Sequence, residues 1–272
     1  MEETEIFTPE RIFHYTSINS LALMLHHRTL RFTKLSKLND PLEGRAGDLD
    51  RAARLIFCSS WTSKKEDTIP MWKMYSELAG VRIAVSPSRM FEDVGEIKRG
   101  SFKPKTTYCA EFTSELTFPT KGYTRLHSQR SSIRYIFGPD PVHYDEPHRA
   151  FPARITGTAA GIREGKRVED PIAYLSTVGL SKPKHWEFEN EVRFRLMANP
   201  IINCGNIQLK EFCDIMEIDR DHIDVSLSDD FFSNASVLLG PLCEPAHKIL
   251  IESLIEKYAP SVDISKSDIQ IR

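Results

Sequence analysis

Hydrophobic and polar positions along this chain alternate in short blocks, and the period switches repeatedly between that of a strand and that of a helix. "RIFHY" reads as a strand ending at His14 and Tyr15, and Ser17 then caps a helix whose Ile18, Leu21, Ala22 and Leu25 recur at i, i+3, i+4 and i+7. "TLRFT" (Thr29 to Thr33) alternates like a second strand, and "KLSKLNDPLEG" has the Asn, Asp, Pro and Gly of an irregular loop. "LIFCSSWTS" from Leu55 predicts a buried strand. "PMWKMYSEL" predicts a helix with Pro70 in its first turn, and "VRIAVSP" a strand entered through Gly80.

Further on, "TTYCAEF" and "SIRYIF" are strand-like islands in a basic, loop-rich region at about 96–152. "DPIAYLS" predicts a helix, and "EVRFRLM" a strand in which Val192, Phe194 and Leu196 alternate with Glu191, Arg193 and Arg195. The C-terminal part reads as a strand at "SVLLGP", a helix from about Glu244 to Tyr258 with Ala246, Ile249, Leu250 and Leu254 on one side, and short strands around "VDI" and "IQIR". With no internal repeat, these elements predict a single α+β domain over 1–272 with a mixed, mostly antiparallel sheet.

Composition narrows the function classes. The chain has 272 residues, 40% hydrophobic and 27% charged, enough for a substantial core. The acidic start "MEETEIFTPERIF" carries no leader-like apolar run, and no apolar stretch approaches a membrane span, so the expectation is a cytoplasmic protein. Five dispersed cysteines without a C-x-x-C pair argue against a disulfide framework and a thiolate zinc site, and no metal is indicated. The formal net charge of -2 hides an asymmetry. From Glu96 to Tyr135 eight Lys or Arg face three Glu, and from Glu211 to Asp230 eight acids face only Arg220. The basic run, with Lys98, Arg99, Lys103, Lys105, Arg130 and Arg134, offers a nucleic-acid contact; solvated surface is the plainer reading.

Candidate chemistry gathers at the strand end His14-Tyr15-Thr16-Ser17, the aromatic helix Trp72-x-x-Tyr75, and Glu187, Glu189 and Glu191. On a strand these three carboxylates would share one face, which is unfavourable unless cations or ligand hydroxyls lie opposite. The plainer alternative pairs Glu189 and Glu191 with Arg193, Arg195 or Lys184 on a solvated face and leaves Trp72, Tyr75 and Trp186 as core aromatics. Asn39, Asp40 and Glu43 in the polar loop are candidates to shape a pocket, and an Asx-turn with Pro41 accounts for Asn39 and Asp40 equally well.

The ordered motifs "HYTS", "NDPLE", "MWKMY" before "GVRIAV", "HWEFENEVRF" and "LLGP" before a helix resemble an uncharacterised bacterial domain family. Its pattern runs H-Y-T/S, N-D-P-x-E, W-x-x-Y and W-x-Y/F-E-x-E-x-R. That family is in turn distantly similar to ADP-ribosyltransferases, which split NAD between two small packed, mostly antiparallel sheets with flanking helices. The S-T-S strand motif of one transferase branch is missing here. The resemblance implies that NAD is the substrate. His14 would bind a ribose hydroxyl, with Thr16 in the same motif. Tyr15 or, preferably, Tyr75 would stack on nicotinamide. Arg31 and Asn39 would supply donors. Glu191 would accept from the ribose 2'-hydroxyl and stabilise the oxocarbenium-like cation, and Glu189 would orient or deprotonate the acceptor. It further implies a toxin or phage-defence effector that modifies protein or nucleic acid, with an antitoxin or inhibitor protein as partner. An NAD hydrolase and a non-catalytic nucleotide-sensing or partner-binding module remain the alternatives.

Overall fold

The computed structural model describes residues 9–49, 52–88, 90–91, 135–147, 149, 152, 154–163, 165–197 and 220–272, with the backbone of short strands at 107–108, 112–117, 130–133, 201–203 and 217–218. The strands are β1 (Ile12–Thr16), β2 (Thr29–Lys34), β3 (Ile56–Thr62), β4 (Val81–Val85), β5 (Thr107–Tyr108), β6 (Phe112–Thr117), β7 (Arg130–Ile133), β8 (Tyr135–Pro141) and β9 (His143–Asp145). They continue with β10 (Thr156–Arg163), β11 (Lys166–Tyr174), β12 (Ser181–Pro183), β13 (Glu191–Met197), β14 (Ile201–Asn203), β15 (Glu217–Ile218), β16 (His222–Ser226), β17 (Ser236–Leu239) and β18 (Asp263–Lys266). Four α-helices are described: α1 (Ile18–His27), α2 (Ile69–Ser76), α3 (Asp229–Asn234) and α4 (Pro245–Tyr258). Among the described residues no helix is long and apolar enough to cross a membrane.

The class is α+β, dominated by one ten-stranded sheet in the order β18-β17-β4-β1-β3-β13-β8-β5. Apart from the parallel β17–β18 pair its ladders are antiparallel. The sheet forks at β3. β13 follows β3 along its whole length on one side, from Thr62 opposite Glu191 to Ile56 opposite Met197. On the other side β1 takes only Thr62, β2 takes Phe57 and Cys58, and β16 adds to the far edge of β2. Ser59, Ser60 and Trp61 therefore lie between two diverging strands without a ladder partner on that side.

Local sequence explains these elements. Ser17 accepts a hydrogen bond from the Ser20 N–H at 3.1 Å, and of the expected stripe Leu21 and Leu25 are buried, joined by Met24, while Ile18 and Ala22 are half-buried. α4 packs differently from expectation. Ile251 and Ile255 are buried, whereas Ile249 and Leu250 are 63% and 55% exposed. The helix is apolar on more than one side, so periodicity did not single out the stripe that the core selects. The helix expected at "DPIAYLS" is instead the end of β11, paired along its length with β10, because a short apolar run containing Pro171 fits a ladder as readily as a helix. Only the first of the two C-terminal strands forms, as β18.

The acidic run is partly a structural edge. In β16 Asp224 lies directly across from Arg31 of β2 and takes a bidentate pair from it at 2.8 and 3.0 Å. Asp221 pairs with Lys37, and Asp229 with Arg28. Both sides of β13 are buried, so its ionic side faces no solvent.

Candidate functional site

The cleft at the fork is a cavity of about 450 Å³. Its walls come from β1 (Phe13, His14, Tyr15), β2 (Arg31, Thr33), β3 (Cys58 and the unpaired edge from Ser59 to Trp61) and α2 (Met71, Met74, Tyr75). Asn39 closes one side, and Lys182, Glu189 and Glu191 form the floor.

His14 is part of the fork itself. Its Nδ1 lies 2.9 Å from the carbonyl of Ser60, the backbone group that the diverging strands leave without a ladder partner. A carbonyl only accepts, so Nδ1 carries the proton and the neutral ring keeps Nε2 as an acceptor. Burial lowers the imidazole pKa below its ordinary value, which preserves the neutral form. The ring leans on Trp61 at 5.0 Å between centroids.

The floor is a buried ionic cluster. Arg193 on β13 is fully buried and all five of its N–H groups find acceptors. Nε and Nη2 donate to Glu191 at 2.6 and 2.8 Å, Nη1 and Nη2 to Glu43 at 2.5 and 3.1 Å, and Nη1 also to the Gly179 carbonyl at 2.7 Å. Lys182 on β12 points its ammonium among the carboxylates of Glu189 (2.7 Å), Glu191 (2.8 Å) and, farther away, Glu43 (3.7 Å). That ammonium occupies the centre where a hard cation would have to sit, and among the described residues no set of three His, Cys, Asp or Glu is disposed to hold a metal ion.

Glu189 and Glu191 are not equivalent. Burial alone would raise Glu191, but Arg193 and Lys182 outweigh it and hold the carboxyl at about 2. Glu189 lacks the arginine. Burial raises its pKa, Lys182 opposes the rise, and the Glu191 charge adds to it. Tyr75 donates its hydroxyl proton to Glu189 Oε1, and Asn39 Nδ2 donates to the Tyr75 oxygen at 3.2 Å. Burial, reinforced by the Glu189 charge, keeps that phenol protonated.

The sequence placed Glu187, Glu189 and Glu191 on one strand face, and this is corrected. Residues Lys184–Glu189 form a 3-10 helix, and Asn190 turns the chain in the left-handed region (φ 42°) before β13 begins. Glu187 lies on the surface, whereas Glu189 and Glu191 are buried and converge through that turn.

His14, Tyr15, Tyr75, Arg31, Asn39, Glu189 and Glu191 all reach the cavity. Thr16 is not among its lining residues and is buried at the end of β1 beside Gly80. Arg31 is already paired with Asp224. Tyr15 is mostly buried edge-on against Trp72 at 4.9 Å, which leaves Tyr75 as the more available aromatic face. In the loop, the Asx-turn belongs to Asp40, which accepts from the Leu42 N–H at 2.9 Å, so Asn39 is free to reach Tyr75. Lys98, Arg99, Lys103, Lys105 and Arg134 lie outside the described residues, as does the side chain of Arg130.

Two participants went unforeseen. Lys182 carries no motif signal, and Tyr144 on β9, whose oxygen accepts the Glu191 N–H at 2.8 Å, comes from a three-residue strand. No family model matches the chain, and neither a curated protein nor a solved structure does.

Proposed function

We propose that this protein is an NAD-dependent ADP-ribosyltransferase that modifies a macromolecule, in the manner of a toxin or phage-defence effector acting in the cytoplasm. The observation that carries the reading is the pair of buried carboxylates in unequal surroundings, Glu191 held by Arg193 and Lys182 and Glu189 by Lys182 and Tyr75, converging with neutral His14 at the sheet fork. In this reading the dinucleotide would enter where the ten-stranded sheet divides at β3, and the two small packed sheets of the transferases stay part of the proposal.

The chemistry follows from those states. The N-glycosidic bond breaks with its electron pair moving to the nicotinamide nitrogen, and the positive charge that develops on the ribose meets the fixed negative charge of Glu191. The acceptor nucleophile then bonds to the anomeric carbon, and its proton passes to Glu189, the carboxylate with the higher proton affinity. His14 Nε2 accepts from a ribose hydroxyl, and Tyr75 offers a flat wall for the leaving ring. The acceptor is protein or nucleic acid. The basic residues Lys98, Arg99, Lys103, Lys105, Arg130 and Arg134 would serve the latter, and an antitoxin or inhibitor protein would restrain the enzyme.

The test is incubation with NAD labelled on the adenylate side, in lysate treated with nuclease or protease, beside Glu191→Gln and Glu189→Gln. Label should move to a species destroyed by one of the two treatments, and the rate should fall by about 100-fold or more in Glu191→Gln. NAD loss without labelling would instead indicate a hydrolase. A folded wild-type protein that leaves NAD intact would leave the binding module standing.

A further inference from the structure

Counting charges in the cavity floor leads beyond that reaction. Glu43, Glu189 and Glu191 bring three carboxylates, while Lys182 and Arg193 bring two cations, and all five residues are at most 4% exposed. Both oxygens of Glu189 receive donors, from Tyr75 and from Lys182, the arrangement of an ionised carboxylate. Among the described residues the floor thus carries one negative charge more than the cations of the cluster balance.

Such a charge in a water-poor site is costly unless something positive arrives. The walls above it are Tyr75, Tyr15, Trp61, Met71 and Met74, flat or pliant surfaces suited to the faces of a ring. The cations of the floor and of β2 are committed. Arg193 has no free donor, Lys182 faces three carboxylates, and Arg31 is bidentate with Asp224. An anion entering the floor would meet carboxylates first.

We infer that the cavity selects a flat, positively charged ring, using the surplus negative charge of the Glu43, Glu189 and Glu191 cluster, which Glu189 carries to the cavity, to distinguish a cation from a neutral or anionic molecule of the same shape. This rests on the proposed use of NAD, whose oxidised nicotinamide ring is such a cation and whose reduced ring is not. The orientation follows, with the ring at the floor and the phosphates at the rim near Lys37, 56% exposed at its side chain and only 3.5 Å paired with Asp221.

The groups facing Glu189 fix the pH dependence. They are Lys182 from β12, Glu191 from β13, Tyr75 from α2 with Asn39 bonded to its oxygen, and Tyr144 from β9, while Arg193 and Glu43 act on it only through Glu191 and Lys182. Because Glu189 is the carboxylate that binds a proton more readily, a bound cation and that proton exclude each other. Cation affinity therefore rises with pH through the Glu189 titration.

Calorimetric titration of the full chain with three probes decides the matter: 1-methylnicotinamide (cation), 3-methylbenzamide (its neutral isostere) and nicotinate (anion). The cation should bind about tenfold or more tightly than the isostere, a difference of about 1.4 kcal/mol, and nicotinate weakest. In Glu189→Gln the gap between cation and isostere should close. Nicotinate binding as well as the cation, a gap that survives Glu189→Gln, or no binding of any probe at millimolar concentration would each overturn the inference. The wild-type series needs no variant to fold. Cation selection without NAD turnover sinks the transferase reading alone, and NAD turnover without cation selection sinks this one alone.

Discussion

At the scale of single residues, two ionisation states define the site, and both push stability in the same direction with pH. Glu191 sits at about 2 against an ordinary 4.5, so its contribution is complete above the unfolded value and disappears as pH falls from 4.5 toward 2. A shift of that size corresponds to about 3 kcal/mol. His14 is lowered by burial, so the unfolded chain binds its proton first and stability declines as pH falls through 6.5 and below. Urea unfolding should therefore show one loss beginning near 6.5 and another below 4.5, while Glu189, raised by burial, works the other way and adds stability as pH falls toward 4.5. His14→Asn isolates the first, since an amide N–H replaces the Nδ1 donor to the Ser60 carbonyl without a proton to gain. That variant should flatten the profile between neutral pH and 5 and leave the more acidic decline in place. A profile unchanged by the substitution would mean that folding leaves the His14 pKa at its unfolded value.

At the scale of elements, the site depends on how closely β1 and α2 approach. Gly80, between α2 and β4, has no room for a side chain: a Cβ there would fall well inside contact with the Thr16 carbonyl oxygen and lie 2.8 Å from the Ser76 Cβ. Gly80→Ala should cost about 1–3 kcal/mol by chemical denaturation and weaken ligand binding, because it separates the strand end bearing His14 and Tyr15 from the helix bearing Tyr75. A change below about 0.5 kcal/mol would show that the junction yields freely. Much of this level was legible in the sequence. β1, α1, β2, β3, α2, β4 and β13 each carry a periodic run with turn residues or caps at its ends. What escaped was non-periodic. β9 and β12 are three residues each and pair in parallel with each other, leaving no alternation to detect, yet they supply Tyr144 and Lys182. The convergence of Glu189 with Glu191 depends on one left-handed residue, Asn190, where a pattern of alternate acids suggested continuous strand.

At the scale of the molecule, the ionic cluster joins segments far apart in the chain: the "NDPLEG" loop, β12, the turn before β13, and β13 itself. Residue types and order made Glu43, Glu189, Glu191 and Arg193 visible as candidates, though not Lys182, and burial was not legible, because the same Glu-Arg alternation describes a solvated strand face. The distinction has energetic content. Arg193 binds Glu43 across 150 positions of sequence with neither side chain more than 1% exposed, whereas Arg31 and Asp224 form a pair of similar geometry at 52% and 38% exposure. Removing one member of a buried pair strands its partners' charge, while an exposed pair returns its partner to water. Arg193→Leu leaves Glu43 and Glu191 facing only Lys182 and should destabilise the whole fold by about 3–5 kcal/mol in equilibrium unfolding. Arg31→Ala should cost about 1 kcal/mol or less, an amount that shrinks with added salt. Comparable losses for the two variants would show that water reaches the cluster, and a wet floor could not hold an unneutralised charge for a ligand to answer.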